Sequence, residues 1–237
     1  MNKGFKFLKN HLNSFIELFY PEFCVTCDTS LVNQEKVICT SCLYKLPRTH
    51  FHKAPGNPVE QSFWGRQQIE RATSYFFFIK ESRYQKLLHQ LKYHNRPDIG
   101  IEMGRQFGAE IANEETFKTV DYIVPVPLHP KKEYKRGYNQ SKVIGQGMAE
   151  FLDGKLDTKL LKRKQYTETQ TKKGRYERWE NVREVFACDN AKKIEGKHIL
   201  LVDDVLTTGA TIEGCALILH EAANVKISVA TLAYAAI

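Results

Sequence analysis

Two adjacent carboxylates, Asp203 and Asp204, lie in the part of the sequence that is best suited to bind a charged ligand. Four apolar residues without a polar interruption precede them at 199–202, and small and hydroxyl residues follow at 207–211. An apolar run without alternation predicts a strand that is buried on both faces. Because apolar residues then recur at helical spacing, the predicted order is strand, acidic pair, loop and helix.

The loop and the acidic pair are suited to bind different groups of one ligand. A loop that leads into a helix N-terminus presents unpaired backbone N–H groups, and small residues allow a phosphate to approach them closely. Thr207, Thr208 and Thr211 add hydroxyl donors. Because carboxylates would repel a phosphate, Asp203 and Asp204 are expected to bind neutral hydroxyls or a divalent cation. A sugar phosphate offers both kinds of group.

The thirteen residues 199–211 resemble the phosphoribosyl-pyrophosphate (PRPP) loop of type I phosphoribosyltransferases. The resemblance implies an α/β fold of the Rossmann-like kind, with a mostly parallel sheet and helices on both faces. It makes Asp203 and Asp204 the candidate catalytic residues, which would hold the ribose 2′- and 3′-hydroxyls with Mg2+ between these and pyrophosphate. The implied 5′-phosphate-binding residues are Thr207, Thr208, Gly209, Ala210 and Thr211. An ordinary strand-to-helix turn that carries two aspartates is the alternative.

Four cysteines near the N-terminus have the spacing of a structural metal site. Cys24 and Cys27 form one CxxC pair, and Cys39 and Cys42 form a second pair after eleven intervening residues. Each pair can present two thiolates to one tetrahedral ion, so we predict a closed, structural Zn2+ site. Iron and a pair of disulfides are the alternatives, and disulfides are disfavoured in a cytosolic protein.

A basic segment at 128–140 follows a second predicted strand at 121–127. Ligands of open α/β sheets bind beyond the carboxyl ends of the strands, so this segment is expected on the same side as the acidic pair. Its RGxNQ pattern, together with the four-cysteine module, resembles the ComF family, the competence-associated phosphoribosyltransferase-like proteins that include ComFC and GntX. The resemblance implies a pyrophosphate subsite, for which the candidates are Leu128, His129, Lys131, Lys132 and Arg136. A solvated basic loop is the alternative.

The polar segment at 162–184 contains too few apolar residues for a buried element, and we predict a flexible hood that closes over a bound polyphosphate. It resembles the hood loop of phosphoribosyltransferases, with Arg175 and Arg178 as candidate pyrophosphate contacts. Aromatic residues are interleaved with the basic ones here, which also suits single-stranded nucleic acid.

Positive charge is concentrated in one part of the chain. Residues 129–184 contain 15 Lys or Arg against 8 Asp or Glu, so they carry +7 of the total charge of +8. We therefore expect this part to bind an anion, either PRPP or nucleic acid. Lys92 and Arg96, at the end of a predicted helix, either face an anion as well or lie in solvent.

The length of 237 residues predicts one sizeable domain and a smaller module. We divide the chain into an amphipathic helix at 1–20, a zinc module at 21–46, a linker at 47–68 and a phosphoribosyltransferase-like domain at 69–237.

The first helix is expected to pack on the protein or a partner, with a membrane surface as the alternative. The last strand, at 225–235, alternates at its start, as expected near a sheet edge. No apolar run approaches the roughly 18–20 residues of a membrane span, and no signal peptide is evident, so we expect a cytoplasmic protein.

Two functions are compatible with the sequence. The first is phosphoribosyl transfer, in which a nucleophile attacks C1 of PRPP and pyrophosphate leaves. Some purine-specific family members have an aspartate where this chain has Thr207, so that base is missing and the acceptor is undefined. The second is a ComF-like role in natural competence and DNA uptake, with PRPP, single-stranded DNA and uptake proteins as partners. We expect the second and leave catalysis open. A PRPP-sensing regulator is disfavoured, because no helix-turn-helix precedes the domain.

Overall fold

The computed structural model describes residues 21–32, 34–164 and 185–235. The predicted helix at 1–20 and most of the predicted hood, including Arg175 and Arg178, lie outside the described residues.

Five strands of the described chain form one parallel sheet. They are β1 (Arg71–Phe77), β2 (Tyr122–Pro125), β3 (Lys155–Leu156), β6 (His198–Leu206) and β7 (Lys226–Tyr234). Their order is β1-β7-β6-β2-β3. Two further strands, β4 (Leu161–Arg163) and β5 (Phe186–Cys188), pair antiparallel beside it. β7 lies between the edge strand β1 and β6, so the last strand is near an edge of the sheet, as expected, with β1 on its outer side.

Eight α-helices are present in the described ranges. They are α1 (Thr40–Tyr44), α2 (Pro58–Gln61), α3 (Gln85–Tyr93), α4 (Pro97–Ile111), α5 (Glu115–Lys118), α6 (Pro130–Arg136), α7 (Gln140–Met148) and α8 (Ala210–Leu219). Short 3-10 helices span Phe51–Lys53 and Ala191–Ile194. This arrangement of helices around a parallel sheet confirms the predicted α/β class.

The central strand β6 is buried on both faces, as its apolar run predicts. Because successive side chains of a strand point to opposite faces, Leu200 and Val202 belong to the core that includes α4 and α7. Ile199 and Leu201 belong to the core that includes α8. The sheet thus has a hydrophobic layer on each side, and β6 holds the acidic pair between them.

Helices α4 and α7 pack with their backbones in contact. A Cβ atom on Gly147 would lie 2.0 Å from the carbonyl oxygen of Ile101, and one on Gly104 would lie 2.2 Å from that of Ile144. Only glycine allows this close approach. The contact fixes α7, whose N-terminus faces the end of β6.

Residues 47–68, for which we predict a linker, are packed on the rest of the protein. They contain a 3-10 helix and α2, and Val59 and Phe63 are buried. The side chain of Asn57 donates to the carbonyl of Ala72 in β1 at 2.9 Å. Gly56 has a positive φ and Pro58 occupies the first turn of α2, so the residues that suggest a linker mark a turn and a helix start instead.

Candidate functional site

The chain changes direction in the sheet between β2 and β6. After β2 it continues to β3 on one side, then returns through β4 and β5 to β6 on the other side. In open α/β sheets, ligands bind at the carboxyl ends of strands at such a switch point. A cleft of about 610 Å³ opens there, lined by residues from both strand ends and from α3.

The acidic pair lines this cleft from within β6, because the strand continues to Leu206 and is longer than the sequence predicts. Asp203 Oδ1 accepts a hydrogen bond from Ser141 Oγ at 2.8 Å and another from the Asp204 N–H at 2.8 Å. Asp204 forms an ion pair with Lys92 at 3.2 Å.

Burial, and then the neighbouring charge of Asp204, raise the pKa of Asp203 to about 7. Two carboxylates in contact repel each other, and Lys92 of α3 offsets part of that repulsion. A divalent cation would offset it in the same way, and neutral hydroxyls would donate to the carboxylates. The geometry therefore fits the hydroxyls or the cation that the sequence predicts.

The loop at 207–211 joins β6 to α8. Gly209 caps α8 with a φ of 77°. The ring of Phe63 lies 3.1 Å from where a Cβ of Gly209 would be, so no larger residue fits without a shift. Arg66 donates to the carbonyl of Thr208 at 3.3 Å. The segment that we predict to be a linker therefore supports this loop.

The predicted phosphate-binding residues differ in position. Thr207 and Thr211 line the cleft. Thr208, Gly209 and Ala210 are not among the described residues that line it. Thr208 Oγ1 accepts from the Ala210 N–H at 3.4 Å. The first N–H groups of any helix lack partners within the helix, so the start of α8 offers donors to an anion.

The basic segment after β2 is partly helical, because its residues 130–136 form α6. Leu128, Lys132 and Arg136 line the cleft. His129 caps α6 by accepting a hydrogen bond from the Lys131 N–H at 3.2 Å. Neither His129 nor Lys131 is among the described residues that line the cleft.

The RGxNQ residues form the connection between α6 and α7. Gly137 ends α6 with a φ of 81°. Asn139 caps α7 by accepting from the Ser141 N–H at 3.0 Å, and it donates to the carbonyl of Val126 at 3.0 Å. Arg136 donates to Gln140 at 2.7 Å. The pattern thus ties the loop after β2 to α7 and places Ser141 beside the acidic pair.

Three cleft residues fall outside the motifs that identified the site. Ser141 directly follows the RGxNQ pattern, but nothing in its type or spacing marks it as a partner of Asp203. Lys92 lines the cleft, while Arg96 pairs with Asp98 at 2.7 Å instead. Arg163 of β4 lines the cleft as well, although the sequence predicts it only as part of the hood.

The four cysteines come together as predicted. Their sulfur atoms all lie within 4.8 Å of one another, and those of Cys27 and Cys39 are 3.7 Å apart. A tetrahedral ion with bonds of about 2.3 Å to sulfur sets neighbouring sulfurs about 3.8 Å apart. The N–H groups of Cys39 and Cys42 point at the sulfurs of Cys24 and Cys39, at 3.3 and 3.4 Å. The cluster therefore fits a metal ion.

Within the described residues, no helix has the length and apolar character needed to cross a membrane.

Comparison with known proteins bears on the carboxyl-terminal part of the chain first. Residues 140–236, from α7 through β7, match the family described as phosphoribosyl transferase domain. This part of the chain is therefore similar to a phosphoribosyl transferase domain.

The relatives of this chain include proteins named for DNA use and competence. The "DNA utilization protein YhgH" of Escherichia coli is 28% identical over 86% of this chain and 87% of its own length. The "Competence protein ComFC" of Bacillus subtilis is 25% identical over 84% of this chain and 88% of its own length. The "Competence protein F" of Haemophilus influenzae is 28% identical over 63% of this chain and 67% of its own length. The resemblance to the ComF family is confirmed.

Among solved structures, the chain is similar to an allosteric regulatory enzyme of purine biosynthesis, with 21% identity and a TM-score of 0.41 over 59% of this chain and 29% of that one. A hypoxanthine phosphoribosyltransferase from Staphylococcus aureus matches with 15% identity and a TM-score of 0.36, over 58% of this chain and 64% of that one.

Proposed function

We propose that this protein binds PRPP in the cleft between β2 and β6 and acts in the cytoplasm as a ComF-like protein in natural competence and DNA uptake. The observation that carries the proposal is the cleft itself, in which the acidic pair, part of the threonine loop and basic residues of α6 meet. The competence and DNA-utilization names of the relatives support the cellular role.

The acidic pair would hold the ribose. Asp203 and Asp204 would accept hydrogen bonds from the 2′- and 3′-hydroxyls, with Ser141 keeping Asp203 in place. Lys92 would have to share Asp204 with the ligand. Mg2+ bound with PRPP would neutralise part of the charge of the acidic pair and of the pyrophosphate.

The remaining cleft residues would hold the phosphates. The loop of Thr207, Thr208, Gly209, Ala210 and Thr211 would bind the 5′-phosphate at the start of α8. Pyrophosphate would meet the basic segment and the hood, through Leu128, His129, Lys131, Lys132, Arg136, Arg175 and Arg178. Lys132 and Arg136 already line the cleft, and Arg136 lies 5.7 Å from the ring centre of Tyr93.

Zn2+ is the ion that we propose for the four cysteines. Four thiolates complete a tetrahedral shell and leave no open position, so the ion would stabilise the module and take no part in chemistry.

One exposed surface supports contact with single-stranded DNA. Tyr134 on α6 is 93% exposed, and Lys131, Lys132 and Lys135 are exposed beside it. Exposed aromatic rings among basic residues can stack on bases while the lysines contact the backbone. We expect Tyr134→Ala to weaken binding of a single-stranded oligonucleotide at low salt, whereas Tyr44→Ala, at an 86% exposed tyrosine outside this surface, should leave it unchanged. Equal binding by both variants contradicts this contact.

A second candidate is phosphoribosyl transfer without a DNA role. The intact acidic pair favours this candidate. Phosphoribosyl transfer also needs an acceptor, which the cleft does not identify, because Thr207 stands where some purine-specific family members have an aspartate that acts as the base. Pyrophosphate release from PRPP, measured with a panel of bases and amines, distinguishes the two. Release that disappears in Asp204→Asn supports transfer.

The cellular role is tested by natural transformation in the source organism. We expect the Asp203→Asn/Asp204→Asn strain to transform as poorly as a deletion strain, while Asp153→Asn, at an exposed aspartate outside the cleft, transforms normally. A Cys39→Ser/Cys42→Ser strain reports on the cysteine module in the same assay. Normal transformation by the acidic-pair strain contradicts the proposal.

A further inference from the structure

A second group of potential metal ligands lies away from the cleft. His50 and His52 flank Phe51 at the start of the 3-10 helix, and Glu110 belongs to the last turn of α4. One ligand atom from each residue lies within 4.8 Å of the other two. The group is independent of the PRPP cleft and of the four cysteines.

The distances fit a small tetrahedral ion. The Nδ1 atoms of His50 and His52 lie 3.4 and 3.5 Å from the same oxygen, Oε1 of Glu110. Bonds of about 2.0–2.1 Å to nitrogen and oxygen set neighbouring ligand atoms of a tetrahedral ion about 3.3–3.4 Å apart. Both imidazoles thus meet one carboxylate oxygen at the spacing that a shared ion requires.

Burial makes this arrangement costly without an additional partner. The His52 side chain is 1% exposed, and neither of its ring nitrogens has a hydrogen-bond partner among the described residues. Oε1 of Glu110 is also buried and without such a partner. Buried polar atoms are nearly always paired. A cation between them would satisfy His52 Nδ1 and Glu110 Oε1 together.

The surroundings hold the carboxylate in place and leave access for water. Arg48 pairs with the other oxygen of Glu110 at 3.0 Å, and its guanidinium lies 5.4 Å from the ring centre of Tyr75. Such outer contacts fix the orientation of a metal-binding carboxylate. The His50 side chain is 55% exposed, so water can reach the group and complete the ligand shell.

We propose that His50, His52 and Glu110 form a second metal site, which takes Zn2+ or another divalent transition ion that prefers imidazole ligands. The ion would fasten the segment that follows the cysteine module to α4 of the main domain. Two histidines and one carboxylate leave a position for water, unlike the four-cysteine cluster.

The test counts metal ions in the full-length protein. Samples equilibrated in a Zn2+ buffer and freed of unbound ion are analysed by mass spectrometry for metals. We expect Glu110→Gln and His50→Asn each to hold about one Zn2+ per chain fewer than the wild type, as loss of one of three ligands predicts. Glu114→Gln is the matched control, because it removes a carboxylate near His52 that does not belong to the group.

Co2+ provides a second measurement. The first equivalent of Co2+ is expected to fill the four-cysteine cluster. A second equivalent added to the wild type should give further visible absorption bands without more sulfur-to-metal charge transfer, and these further bands should be absent in Glu110→Gln. Because His50 is exposed, His50→Asn decides the matter if Glu110→Gln fails to fold. Equal Zn2+ content in the wild type and His50→Asn, or an equal loss in Glu114→Gln, overturns the proposal.

Discussion

The two sides of the cleft are built in different ways. On the β6 side, one continuous strand, loop and helix supplies the acidic pair and the threonine loop. On the β2 side, the RGxNQ residues mainly cap helices and bond to one another. Ser141 reaches the acidic pair from α7, which is held by the Asn139 cap and by its close contact with α4. In the proposed site, a contiguous motif would thus supply the ligand-binding groups, while a second motif positions them.

The largest effect is expected where α7 meets α4. A Cβ on Gly147 would lie 2.0 Å from a backbone oxygen that cannot move aside, so Gly147→Ala should lower the free energy of unfolding by about 3 kcal/mol. Gly145→Ala on the same helix is the control, because its Cβ would meet only side-chain atoms, those of Leu156 at 3.1 Å and Ile123 at 3.5 Å. Urea denaturation of both variants gives the difference. Equal unfolding free energies would show that the close contact does not fix α7.

A smaller loss of stability is expected at the cap of α7, together with a loss of affinity. Asn139→Ala removes two hydrogen bonds and should cost about 1–2 kcal/mol. Because Asn139 holds Ser141 near Asp203, PRPP affinity should fall as well. Asn190→Ala removes the cap of a distant 3-10 helix and should leave affinity unchanged. If calorimetry shows the same PRPP affinity for both, the β2 side does not position the acidic pair.

The smallest effect is a change in pH dependence. The pKa of Asp203 is raised to about 7, so its carboxylate forms, and PRPP binding should strengthen, as the pH rises through that value. The hydrogen bond from Ser141 acts in the opposite direction and lowers this pKa. Ser141→Ala should therefore move the midpoint of binding to higher pH. Ser62→Ala, at a half-buried serine that directly follows α2, is the control. An unchanged midpoint in Ser141→Ala contradicts the role of this hydrogen bond.

How much the sequence reveals depends on how local the interactions are. The acidic pair and its loop are recognisable because strand, turn and helix follow one another without interruption, and the cysteine pairs are recognisable by spacing alone. The roles of Asn139 and Gln140 depend on contacts with Val126 and Arg136, which only the folded chain defines. A pattern match therefore locates these residues without explaining them.

Residues far apart in sequence are the hardest to connect. His52 and Glu110 meet because the segment after the cysteine module packs on α4, and that segment has the glycine and proline content of a linker. Its turns are sharp, but the side chains between them are buried, so composition alone misjudges it. Lys92 is visible as a basic residue, while its pairing with Asp204 depends on the position of α3 beside β6.

Titration calorimetry of PRPP with Mg2+ tests the central claim most directly. The wild type and Asp153→Asn should bind PRPP with the same affinity, whereas Asp203→Asn/Asp204→Asn should show no measurable heat of binding while unfolding in urea like the wild type. Equal affinity of all three proteins would contradict the assignment of the cleft between β2 and β6 as the PRPP site.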